Sequence, residues 1–283
     1  MAGGEQAHGQ TLILPLEGSL VAELLVLGGV AGFLAGLLGI GGGAMLVPFM
    51  TLVLSSKAMP TQHIVKMAVA TSLATVCFTS LSSLRAHHQR GAVRWDVVRL
   101  LAPGIILGSL LGAQIAKALP SAVLATLFAV FLTFSAIQML LDRKPEPTRQ
   151  LPQGAGLFGV GSVIGVVSTL VGAGGAFMSV PFMIACNLPI IKAVATSAAL
   201  GFPIAVAGTV GYVIAGWSLQ DTPSGALGYI YLPALFTLAA ASMVAAPFGA
   251  RAAHRMNVHQ LKRAFACLLL ALAGYMLYKS FSL

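Results

Sequence analysis

Apolar residues in this chain do not alternate with polar ones. They run on for about 20 positions at a time, the length an α-helix needs to cross a bilayer core about 30 Å thick. Such runs predict spans near 63–84, 98–117, 122–141, 190–215, 228–250 and 260–279. Two further apolar regions, about 19–55 and 155–187, are longer than one span, and glycines interrupt both: Gly39-Ile40-Gly41-Gly42-Gly43 in the first and Gly172-Ala173-Gly174-Gly175 in the second. Each predicts a broken helix, re-entrant or paired. A break frees backbone N–H and C=O groups that lipid cannot satisfy, so it must lie against protein or line a polar cavity. Residues 1–18 lack the basic region and small-residue cleavage pattern of a signal peptide, so the first apolar region is expected to be retained.

Composition makes lipid the solvent. Of 283 residues, 58% are hydrophobic and 8% charged, with a mean hydropathy of +0.93, whereas a soluble domain carries about 25% charged residues. A water-soluble globule is excluded. The net charge of +9 comes from short basic clusters between apolar runs, with no aromatic-basic face, so nucleic acid is not an expected partner. Cys77, Cys186 and Cys267 sit in apolar segments without ligand spacing, which argues against a disulfide framework or a metal site.

The chain is a duplication. Residues 39–50, GIGGGAMLVPFM, match residues 172–183, GAGGAFMSVPFM, at eight of twelve positions, and Ala68-Val69-Ala70-Thr71-Ser72 returns as Ala193-Val194-Ala195-Thr196-Ser197. The expected organisation is a first transmembrane repeat (1–141), a polar linker (142–153) and a second repeat (154–283), each a Gly-broken segment plus three spans. Basic residues mark cytoplasmic connections, and they disagree between halves. The connection around 85–99 holds Arg85, Arg90, Arg94 and Arg99, but its counterpart around 216–228 holds no Lys or Arg. Conversely, 251–263 holds Arg251, Arg255, Lys262 and Arg263, against Lys117 alone in 117–121. Opposite insertion of the two halves explains this, with both termini outside the cytoplasm. Eight simple spans in a parallel duplication is the rival count.

A short helix starting after each break, near Ala44 and near Phe177, would present free N–H groups and a positive dipole end, a site for an anion. The expected substrate-binding residues are Gly41, Gly42, Gly43 and Ala44, their counterparts Gly174, Gly175 and Ala176, and the hydroxyls of Thr71, Ser72, Thr196 and Ser197. Lys66 and Lys192 precede the repeated strings and would attract anions, or anchor the helices at the membrane boundary. Gly39, Pro48, Gly172 and Pro181 are helix-break positions, the prolines ending or bending the short helices. Close helix packing is the alternative role for the glycines, and it is the preferred one for Gly28, Gly32 and Gly36 and for Gly104, Gly108 and Gly112.

All seven acids, Glu5, Glu17, Glu23, Asp96, Asp142, Glu146 and Asp221, lie outside the apolar centres. A carboxylate-based cation site or proton relay is therefore not expected. His87, His88, His254 and His259 are expected in solvated connections. No catalytic residues, cofactor or nucleotide motif are implied, so the chain is read as a non-enzyme.

The two Gly-rich breaks with Val47-Pro48 and Val180-Pro181, the twin AVATS strings and the His-Arg connection ending in Gly91 together resemble the sulfite exporter TauE/SafE family over nearly the whole chain. The resemblance implies an all-α polytopic protein of the cytoplasmic membrane that moves small sulfur oxyanions such as sulfite, sulfoacetate or other organosulfonates. Ala176, where the first break has Gly43, is a departure between the halves. A non-transporting scaffold, or transport of a different small metabolite, are the alternatives. Oligomeric state is open.

Overall fold

The computed structural model describes residues 18–38, 43–56, 61–141, 150–152, 154–219, 223–253 and 258–282. The first half contributes α1 (Gly18–Leu38), α2 (Gly43–Ser56), α3 (Thr61–Gln89), α4 (Trp95–Ala118) and α5 (Ser121–Leu141). The second contributes α6 (Ala155–Val171), α7 (Ala176–Ala185), α8 (Ile190–Ala215), a two-stranded antiparallel hairpin of β1 (Ala226–Leu227) and β2 (Ile230–Tyr231), then α9 (Leu232–Ala253) and α10 (Val258–Ser282). Six of the described helices, α3, α4, α5, α8, α9 and α10, are long and apolar enough to cross a membrane. Their outward residues, among them Leu107, Leu111, Val130, Phe134, Val210 and Val244, are exposed aliphatics and aromatics that only lipid solvates without cost. This is an all-α polytopic membrane protein.

The predicted spans recur with two adjustments. α3 extends to Gln89, so Arg85, His87 and His88 stand in its last turns rather than in a loop. The extension is held by Trp95, whose Nε1 donates to His88 Nδ1 at 3.2 Å. α9 begins at Leu232 because Tyr229, Ile230 and Tyr231, counted in the span by hydropathy, are buried in the hairpin region that leads into it. Gly39, Ile40, Gly41 and Gly42 lie outside the described residues, as does the expected linker apart from 150–152.

Helices pair across the two halves. α1 lies along α9, and α6 lies along α4. Both contacts depend on glycine. A Cβ on Gly28 would sit 3.0 Å from Leu238 O, and one on Gly161 2.5 Å from Leu101 O; Gly32 likewise meets the backbone of Ser242, and Gly165 that of Ile105. Gly104, Gly108 and Gly112 of α4 meet the backbone of Phe158, Ser162 and Val166 in α6. These stripes are helix interfaces, in which small residues let backbones approach where lipid provides no hydrophobic drive. The equivalent helices α3 and α8 also pack together and run antiparallel, with Leu73 against Gly208 and Ser80 against Gly201. So do α5 and α10, where Thr126 Oγ1 lies 2.7 Å from Ser280 Oγ.

Candidate functional site

The second break lies in the interior, with Gly43 at the start of α2 packed on it. α6 ends at Gly172, which is left-handed (φ 65°) and caps the helix through its N–H to Thr169 O, while Ala173 N–H donates to Ser168 O at 3.0 Å. Gly175, also left-handed (φ 76°), turns the chain into α7 and accepts the N–H groups of Met178 and Ser179. A side chain at either position would be strained as well as crowded. α7 has ten residues and so reaches about 15 Å, half the hydrocarbon core. Gly43, the first residue of α2, abuts this turn: a Cβ there would lie 2.7 Å from Gly172 O and 3.2 Å from Ala173 Cα.

Ser72 clasps the two breaks. Its Oγ lies 3.1 Å from Gly43 O and 3.4 Å from Gly172 O, so one buried hydroxyl on α3 can donate to either carbonyl. Its counterpart Ser197 on α8 instead meets Ser179 Oγ of α7 at 2.6 Å, and Ser179 also reaches Gly175 O. Thr71 and Thr196 point elsewhere. The backbone N–H of Tyr231, just before α9, donates to Thr71 Oγ1 at 3.0 Å, and that of Arg94, just before α4, donates to Thr196 Oγ1 at 3.1 Å. Each repeated threonine thus anchors the segment leading into a helix on the opposite side of the duplication or its equivalent. The Arg94 side chain is fixed separately by a two-point pairing with Asp96 at 2.9 and 2.6 Å.

Of the expected site residues, Gly43, Ser72, Gly172, Gly174, Gly175, Ala176 and Ser197 cluster around the breaks. Thr71 and Thr196 face away, because adjacent positions on a helix point about 100° apart. Ala44 and Pro48 lie in α2, and Pro181 in α7, with both helices continuing past their prolines. Gly39, Gly41 and Gly42 are outside the described residues. Lys66 and Lys192 are not equivalent: one precedes its AVATS string by two residues, the other by one. Lys66 is 8% exposed and donates from Nζ to Lys117 O at 2.8 Å, capping the C-terminal end of α4 beside the Tyr229 ring. Lys192 is exposed in the first turn of α8.

Sequence reading passed over Ser179, Ser168 and Thr169. The aligned repeats do carry a signal for the first, since Ser179 stands where the first copy has Leu46. Ser168 and Thr169 are fully buried, and neither side-chain oxygen has a partner among the described residues. No metal-ligating cluster of three His, Cys, Asp or Glu occurs among the described residues.

Six long apolar helices, with the start of α2 packed on the glycine turn between α6 and α7, define a polytopic membrane protein, and the family it belongs to makes it a membrane transporter. The description "Sulfite exporter TauE/SafE" matches residues 24–276, and the chain belongs to that family. It is 35% identical over 257 residues to a probable membrane transporter protein of Haemophilus influenzae, covering 90% of this chain and 97% of that one. It is 25% identical to a probable membrane transporter protein of Methanocaldococcus jannaschii, covering 94% and 96%, and 30% identical to one of Bacillus subtilis, covering 66% and 76%. No solved structure matches the chain.

Proposed function

We propose that the protein moves a small sulfur-containing oxyanion, of the sulfite or organosulfonate type, across the cytoplasmic membrane as a secondary transporter or facilitator, binding it at the glycine breaks. The observation that carries this reading is the meeting of Gly43 with Gly172 and Ala173 at the Ser72 hydroxyl. Irregular backbone at membrane depth is tolerated only inside protein or beside a polar path, and paired helix breaks are where transporters bind ions and substrates. The family description supports the sulfur chemistry, and the relatives' names support transport. The spans described contain no acid in their centres to favour a cation.

Two oppositely inserted halves fit the antiparallel course of α3 with α8 and of α5 with α10. Arg85, Arg90 and Arg94 then share the cytoplasmic face with Arg251 and Arg263, and both termini lie outside. Alternating access in this arrangement does not rock residues 1–141 against 154–283, since that would tear α1 from α9 and α6 from α4. The moving bodies are the cross-half pairs.

Proteoliposomes loaded in turn with sulfite, sulfoacetate, sulfate, acetate and chloride test the function. Protein-dependent flux of sulfite or sulfoacetate, with acetate and chloride at the rate of empty vesicles, is expected. Flux of none of the sulfur oxyanions in either membrane orientation would refute the reading and favour a different cargo or a non-transporting role.

A further inference from the structure

The turn from α6 into α7 offers backbone that a ligand can touch. Gly43, at the start of α2, packs on this turn. The Cβ position of Gly43 is filled by Gly172 O, and Gly43 O is engaged by Ser72. In the turn itself, the amides of Gly174, Gly175, Ala176 and Phe177 have no acceptor among the described residues, and Gly175 brings no capping side chain. The first N–H groups of any helix lack internal partners; here Gly175 is buried and Gly174, Ala176 and Phe177 are half-buried, which leaves them within reach of a ligand.

A second observation points to the same place. Ser168 is 0% exposed and its hydroxyl is unpartnered among the described residues. A serine within a membrane helix ordinarily returns its hydroxyl to the carbonyl one turn back, as Ser162 does to Phe158 O at 2.9 Å. Ser168 does not, and its Oγ lies 2.9 Å from the Cβ position of Gly175, at the mouth of α7. The neighbouring Thr169 hydroxyl is unpartnered too, but it faces Gly208 on α8. On the other side of the mouth stands Ile204, whose Cδ1 is 2.5 Å from the same Cβ position. That methyl is the far end of a flexible side chain, so a rotamer change uncovers the mouth.

We propose that the oxyanion is held at the mouth of α7, by the amides of Gly174 to Phe177 and the Ser168 hydroxyl, with Ile204 as the plug. The assignment rests on the anion-transport reading and gives it a defined site. Five neutral donors spread over a turn suit a head group with several oxygens, such as sulfite or a sulfonate, and the positive end of the α7 dipole supplies the charge complement. Gly43 then acts as the floor of the site. This accounts for Gly43 as a packing glycine against Gly172 O.

Thermal unfolding of the purified full chain tests this, with sulfite, sulfoacetate, sulfate, acetate and chloride as probes, in the parent and in Ser168→Ala, Thr169→Val and Ile204→Ala. Ligand that binds the native state raises its melting temperature. Without ligand, Ser168→Ala should melt at or above the parent, because it removes an unmatched buried hydroxyl. It should nevertheless bind sulfite or sulfoacetate at least tenfold more weakly. Thr169→Val should keep parental affinity, and Ile204→Ala should bind at least threefold more tightly. Parental affinity in both Ser168→Ala and Ile204→Ala, with a parent that binds and transports, would overturn the α7 site and leave the transport reading standing. If Ser168→Ala fails to fold, Ile204→Ala decides alone. A parent that neither shifts with nor transports any sulfur oxyanion would overturn the transport reading, and the site with it.

Discussion

Replacing Thr71 or Thr196 by valine keeps the shape of the side chain and removes only the oxygen that accepts a backbone N–H. The Tyr231 amide is left fully buried, so water does not replace its acceptor, whereas the Arg94 amide is part-buried and its loss should fall nearer the low end of the range. An unsatisfied buried donor costs about 1–3 kcal/mol. In a chain of this size each kcal/mol lowers the melting temperature by about 2 °C, the shallow end of the usual range, so each variant should melt about 2–6 °C below the parent. The two bonds share no partner, and the double variant should show the sum. Thr71→Ser and Thr196→Ser keep the oxygen and should recover most of the loss. The assay is cooperative unfolding of purified protein followed by intrinsic fluorescence. Oxyanion-induced shifts should persist in both valine variants, since these hydroxyls face away from the breaks. Thr71→Val and Thr196→Val melting with the parent would refute the anchoring role. Serine variants as unstable as the valines would locate the effect in packing instead.

The remaining expectations follow from packing and pairing. Gly108→Ala should lose folded protein on size-exclusion chromatography, because its Cβ would collide with Ser162 O, whereas Gly29→Ala and Gly159→Ala, which meet nothing within 4 Å, should elute as the parent does. Ser179→Ala and Ser197→Ala should each destabilise by about 1 kcal/mol, and the double variant by less than the sum, because the two hydroxyls face each other at 2.6 Å; strict additivity would exclude the pairing. Lys66→Met should lower the melting temperature by removing the contact with Lys117 O, while Lys192→Met, exposed, should melt as the parent does.

Periodicity and hydropathy sufficed for the six spans because lipid imposes a length and an apolar surface that any sequence must meet. The second glycine break, where α6 ends at Gly172 and α7 starts at Ala176, was legible for the same reason. Direction within a helix was harder. Thr71 and Ser72 are adjacent in a string that repeats intact, yet one faces the breaks and the other the lead-in to α9, which only the packing of α3 decides. Lys66 and Lys192 look alike beside their strings, but an offset of one residue sends the first inward to Lys117 O and the second to the surface. Ser168 was invisible to motif reading, since a lone serine in an apolar helix has no pattern; its interest lies in the hydrogen bond it does not make.

The pairing of α1 with α9 also sets the order of events during synthesis. α1 is among the first helices to leave the ribosome, and the strip around Gly28 and Gly32 is shaped to receive Leu238 and Ser242, with Ser242 Oγ donating to Gly28 O at 2.9 Å across 214 positions of chain. Until α9 emerges, that groove has only acyl chains to fill it. α6, by contrast, meets the completed α4 as soon as it inserts. The nascent protein therefore carries two open seams through much of its translation, α1 awaiting α9 and α5 awaiting α10, and it is the second that closes last.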